Sequence, residues 1–136
     1  MRRSGFAVAL ALTAFVAVAR VSTQSVQKLE YDTFCKLPDL ETKRSAFLAA
    51  SAENRTTLVR THVERWRDAN RSRLNDKQLA ALAELIAAFG PDTYSDGPKG
   101  EEARAKIRPL GEAHLQLFTK EEMFAMQPWS PCIAKK

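Results

Sequence analysis

The chain has 136 residues and a mass of 15.2 kDa, room for one domain and not for a multidomain enzyme. Hydrophobic residues at 45%, charged residues at 27%, five Gly and six Pro exclude wholesale disorder and collagen-like repeats. The formal charge of +5 is modest, and no dense Lys/Arg stripe with interleaved aromatics accompanies it, so no nucleic-acid partner is predicted.

The amino end reads as an address. Arg2 and Arg3 precede Phe6 to Ala19, a run of fourteen residues that carries no charge and only Thr13 as a polar interruption. A membrane-spanning helix needs about twenty apolar residues, and Arg20 ends this run short of that. Ala17-Val18-Ala19 supplies a small-x-small cleavage pattern, so residues 1–19 are expected to be a cleaved signal peptide. Residues 20–136 then form a single helical domain with a short N-terminal extension and a C-terminal tail. Because residues 1–19 contain two arginines and no acid, the mature chain carries +3 over 117 residues. No later stretch is apolar and long enough to span a bilayer.

Export, periplasmic or fully secreted, places the two cysteines, Cys35 and Cys132, where thiols oxidise, and two cysteines allow one intramolecular pairing. A Cys35–Cys132 disulfide is therefore expected, tying the two ends of the mature domain together. There is no CxxC motif, and neither cysteine has a histidine or other base nearby in sequence, so nucleophilic or redox roles are not expected.

The rest of the chain predicts an all-α protein of four to six helices. Tyr31 to Lys36 reads as a short turn halted before Pro38. Leu40 to Ala50 follows as a helix with Leu40, Arg44, Phe47 and Leu48 near one face. Ser51 caps the next helix, which carries Glu53 in its first turn and runs to about Arg73 with Val59, Val63 and Trp66 as its inner stripe. Asn75 or Asp76 caps a third helix, whose Leu79, Leu82, Ile86 and Phe89 recur at three and four before Gly90-Pro91 ends it. Asp92 to Gly100 is expected to be an exposed connection. Ala103, Ile107, Leu110, His114 and Leu117 form a fourth stripe, and Pro109 and Gly111 within it predict a kink or break near Arg108. Thr119 and Glu122 have capping-box spacing for a last helix of about two turns, with Pro128 and Pro131 leading to Cys132.

Chemistry-bearing motifs are sparse. His62 and His114 are the only histidines, and neither belongs to HExxH or to a His/Cys set at metal-ligand spacing. There is no GxSxG, no phosphate-cradling loop and no dinucleotide fingerprint, so no catalytic residue, metal or cofactor is predicted. His114 lies on an apolar stripe and His62 borders the Val59/Val63 stripe, which favours packing roles. The densest charge lies around Trp66, where Arg55, Arg60, Arg65, Arg67, Arg71 and Arg73 face only Glu64 and Asp68. Arg60, Arg67 and Arg71 share one side of a helix. They are the candidate partner-binding residues, suited to an acidic protein or an anionic membrane surface. The competing reading is a solvated face stitched by Arg60/Glu64 and Asp68/Arg71 pairs.

Taken together, Tyr31-Asp32-Thr33-Phe34-Cys35-Lys36-Leu37-Pro38, Arg44-Ser45-Ala46-Phe47 and Leu58-Val59-Arg60-Thr61-His62-Val63-Glu64-Arg65 resemble the bacteriocin fulvocin C-related family of secreted bacterial proteins. Leu74-Asn75-Asp76-Lys77-Gln78, Phe89-Gly90-Pro91-Asp92-Thr93-Tyr94 and Leu117-Phe118-Thr119-Lys120-Glu121-Glu122 extend the likeness over residues 31–126. The resemblance implies a small exported helical protein in a bacteriocin-associated or envelope-protective role. The Leu74-to-Gln78 segment also resembles the LTxxQ motif of periplasmic stress chaperones, which implies cradling of unfolded clients. A third possibility is a small hydrolase or metal enzyme built on His62 and His114, which requires the two histidines to meet in one cleft. A binding protein predicts a contiguous apolar or arginine-rich exposed patch and no pocket.

Overall fold

The computed structural model describes residues 28–135, and the signal-peptide reading of residues 1–19 lies outside them. The described residues form six α-helices and no strand. These are α1 (Tyr31–Cys35), α2 (Leu40–Ala49), α3 (Ala52–Asn70), α4 (Asp76–Ala88), α5 (Gly97–Leu117) and α6 (Lys120–Ala125), with a 3-10 turn at Arg71–Arg73 after α3.

Local chemistry sets most boundaries. The side chains of Asp39 and Ser51 accept from Thr42 N and Asn54 N at the starts of α2 and α3. Reciprocal capping boxes open α4, between Asn75 and Gln78, and α6, between Thr119 and Glu122. One hydrophobic core is shared by all six helices and the tail. Phe34, Leu58 and Leu82 are its most buried apolar side chains, with Val59, Val63, Trp66, Phe89, Phe118 and Met126 around them. The expected inner stripe of α3 is buried throughout.

One expectation is refined and two are corrected. On α2 only Phe47 is buried, wedged edge-on against Tyr94 and Trp129, whereas Leu40 and Leu48 are 51% and 61% exposed. The connection after α4 is shorter and less exposed than expected. α5 already begins at Gly97, Thr93 is buried, and Gly100 sits so close to the Ser95 carbonyl that a Cβ there would lie 1.7 Å from its oxygen. Finally, α5 runs as one helix through Pro109, so of the expected kink or break near Arg108 the break is absent. Its buried face, led by His114, packs on α4, and that tertiary contact outweighs the local cost of proline and glycine.

The Cys35–Cys132 disulfide is present, with Cα atoms 5.6 Å apart. It fastens the end of α1 to the tail across 97 positions of sequence.

Candidate functional site

The polar residues of α3 face inward far more than their charge pattern suggests. A helix leaves its last four carbonyls without an internal partner, and a cation or N–H donor placed there is favoured by the helix dipole as well. Arg55 donates to the carbonyls of Phe47 and Leu48 at the end of α2, and to that of Tyr94. Arg60 donates to the carbonyl of Phe89, the residue that closes α4. His62 donates through Nε2 to the carbonyl of Ala125, the last residue of α6, at 2.8 Å. Asn54 exchanges two hydrogen bonds with the backbone of Leu29, just ahead of α1.

His62 lies at the centre of a closed polar seam. It is fully buried, and Tyr31 and Ser130 beside it are 6% and 2% exposed. The Ala125 carbonyl can only accept, so Nε2 carries the proton and Nδ1 is the acceptor for the Tyr31 hydroxyl at 2.6 Å. Ser130 Oγ lies 2.9 Å from Nε2 and 2.7 Å from the Gln127 carbonyl to which it donates. Burial, together with the nearby Lys43 and Arg65 cations, holds the His62 pKa below the ordinary histidine value. Every polar group in this seam has a partner. The serine proton is directed to backbone carbonyls, an arrangement that fastens the tail rather than activating a nucleophile.

The arginines named from sequence have different partners within the fold. Arg60 reaches Phe89 and makes no ion pair with Glu64 among the described residues. Arg67 and Arg71 both meet Asp68, at 3.0 and 3.5 Å, and this pairing depresses the Asp68 pKa. Arg65 spans Asp32, the Ile133 carbonyl and the face of Tyr31, and Arg73 pairs with Glu122 while lying over Trp66. Four of the six arginines thus bind other elements of the fold.

The second histidine belongs to a different place. His114 Nε2 donates to the Ala81 carbonyl at 3.1 Å and its ring packs on Phe118, so it shares no hydrogen-bond partner with His62. Its Nδ1 makes no hydrogen bond among the described residues, and His114 lines an apolar cavity of about 360 Å³ with Phe47, Val59, Val63, Met126 and Trp129. A neighbouring cavity of about 460 Å³ is bounded by Thr93, Arg104, Ile107, Arg108, Glu112 and Leu115. Phe89, Tyr94, Gly111 and Met123 line both, so the two adjoin along one wall. His62 lines neither. Among the described residues, no group of three or more His, Cys, Asp or Glu is placed to hold a metal ion.

This cleft is the candidate site; sequence reasoning missed it, and it departs from the expectation that a binding protein here would present an exposed patch and no pocket. The signal was Gly111. It lies inside an apolar helical stripe, two residues after Pro109, and was read as part of a break. The structure gives it no steric necessity, since a Cβ at Gly111 would meet nothing within 4 Å. Its missing side chain leaves open the wall common to the two cavities. Comparison with protein-family models gave no match, and neither did comparison with curated proteins or with solved structures.

Proposed function

We propose that this is an exported, disulfide-closed binding protein, in a bacteriocin-associated or envelope-protective role, and that it binds an apolar ligand in the cleft beside α5. The observation that carries this reading is the pair of adjoining cavities, whose sizes fall in the range of small-molecule sites and whose walls are mostly aromatic and aliphatic with few polar groups. The disulfide supports export, because such bonds persist in oxidising compartments. No described helix is long and apolar enough to cross a membrane. The bacteriocin-associated role rests on the sequence resemblance.

The cleft replaces the arginine face as the centre of the proposal, since Arg60 is engaged within the fold and Arg67 and Arg71 share Asp68. The residues behind the chaperone likeness also have local tasks. Asn75 and Gln78 cap α4, and Gln78 Nε2 holds the Leu117 carbonyl at the end of α5. The test uses the oxidised protein and Nile red, an uncharged apolar dye. Saturable one-site binding that Gly111→Leu abolishes supports the reading, and binding that is absent or indifferent to Gly111→Leu refutes it. The export component is checked by mass spectrometry of the natural product, which is expected to begin at Arg20 with no free thiol.

A further inference from the structure

The two cavities differ in chemistry at their far ends, and the difference defines a kind of ligand. The inner one, around Val59, Val63 and Trp129, contains no carboxylate, Lys or Arg, its polar side chains being Tyr94, His114 and Gln127. The outer one has Arg104 and Arg108 against the single acid Glu112. Arg104 is oriented by the Thr93 and Ser95 carbonyls, which both accept from its Nη1, and those contacts leave its charge unneutralised. Arg108 is exposed, and among the described residues it forms no ion pair with Glu112 four residues on. Tyr94 lines both cavities, and its hydroxyl makes no hydrogen bond among the described residues, so it adds a donor on the shared wall. An apolar slot with two exposed arginines at its rim and a phenol on its wall complements a molecule with a hydrocarbon body and an anionic head.

We infer that the ligand is an amphipathic carboxylic acid, with its chain in the inner cavity and its carboxylate in the outer cavity near Arg104, Arg108 and Tyr94. This rests on the cleft being the binding site and adds the class of molecule it takes. Gly111 sets the passage between the two compartments: any side chain there grows into the space the chain would occupy.

Isothermal titration calorimetry with dodecanoate and with 1-dodecanol, both below the concentrations at which they aggregate, separates the two levels of the claim. The oxidised protein is expected to bind dodecanoate at one site, about fivefold or more tightly than the alcohol, and to lose most of that preference at high salt. Arg108→Gln is expected to bring the acid close to the alcohol while leaving the alcohol's affinity in place. Gly111→Leu is expected to weaken both by about tenfold or more without lowering the melting temperature, because the new side chain enters open space in a helix that favours it over glycine. Equal binding of acid and alcohol, or an acid preference that survives Arg108→Gln, overturns the carboxylate assignment and leaves the apolar site standing. If neither ligand binds the wild-type protein, or both bind Gly111→Leu normally, the cleft itself is refuted.

Discussion

Replacing Tyr31 by Phe removes a single oxygen from the polar seam and leaves everything else that Tyr31 does. The ring still packs in the core, and the Arg65 guanidinium still lies over its face at 4.5 Å from the centroid. Only the hydrogen bond to His62 Nδ1, and the longer 3.4 Å contact from the Ile133 N–H, disappear. Tyr31 is buried and His62 fully so, which leaves the imidazole nitrogen as a buried acceptor without a donor. That condition costs about 1–3 kcal/mol, more than the roughly 0.5–1.5 kcal/mol net value of an ordinary hydrogen bond. In a domain of this size each kcal/mol lowers the melting temperature by roughly 4 °C or more. Urea unfolding of the oxidised protein, followed by circular dichroism, is expected to show a lower midpoint at an unchanged slope. A stability within about 0.5 kcal/mol of wild type at pH 7.5 refutes the assignment, because it requires water or another donor to reach Nδ1.

The remaining predictions bear on the same architecture. Acidification is expected to destabilise the protein in two windows. The His62 pKa is depressed in the folded state, so the unfolded chain binds the extra proton first, and stability present above about pH 6.5 falls as pH drops toward the depressed value. Asp32, Asp68 and Glu122, all lowered by arginine partners or cap hydrogen bonds, extend the loss below about pH 4.5; equilibrium unfolding from pH 8 to 3 checks both the direction and the windows. Replacing Cys35 and Cys132 together by Ser removes a cross-link whose entropic contribution has a ceiling of about 4.7 kcal/mol, and denaturant unfolding is expected to show a loss of several kcal/mol with the helical spectrum retained. Gly100→Ala and Gly111→Ala are expected to move thermal stability in opposite directions. The first forces a methyl group into the Ser95 carbonyl, and the second gains about 0.8–1 kcal/mol of helix propensity in open space.

Periodicity and caps were legible because they are local. The stripe of Val59, Val63 and Trp66 needs only the helical repeat, and Thr119 and Glu122 meet within one turn, so both follow from neighbours in sequence. The disulfide was legible because two cysteines leave a single pairing. The exposure of Leu40 and Leu48 was not legible, because which part of a shared helix face meets the core depends on distant segments, and this ten-residue helix touches the core at Phe47 alone. The cleft was not legible for a stronger reason. Its walls come from α2, α3, α4, α5, α6, the loop at Tyr94 and the tail at Trp129, and no two of these segments announce each other in sequence.

The arginine-rich stretch of α3 carries the most general lesson about this fold. Six arginines against two acids suggest a wet face or a docking face, because sequence gives charge but not the ends of neighbouring helices. Three short helices converge on α3 with their carboxyl ends, and each brings a terminal carbonyl that an α3 side chain meets. Arg55 serves α2, Arg60 serves α4 and His62 serves α6, while Asn54 holds the backbone ahead of α1. A lysine at position 60 would place a point charge near Phe89 but give up the planar guanidinium that reaches that carbonyl from the side of a helix. Arg60→Lys is therefore expected to destabilise the domain by about 1–2 kcal/mol, and Arg71→Lys, on the exposed ion pair with Asp68, by no more than a few tenths. Equal effects at the two positions would mean that Arg60 is as dispensable to the fold as a surface charge, and that α3 does not hold its neighbours by their carboxyl ends.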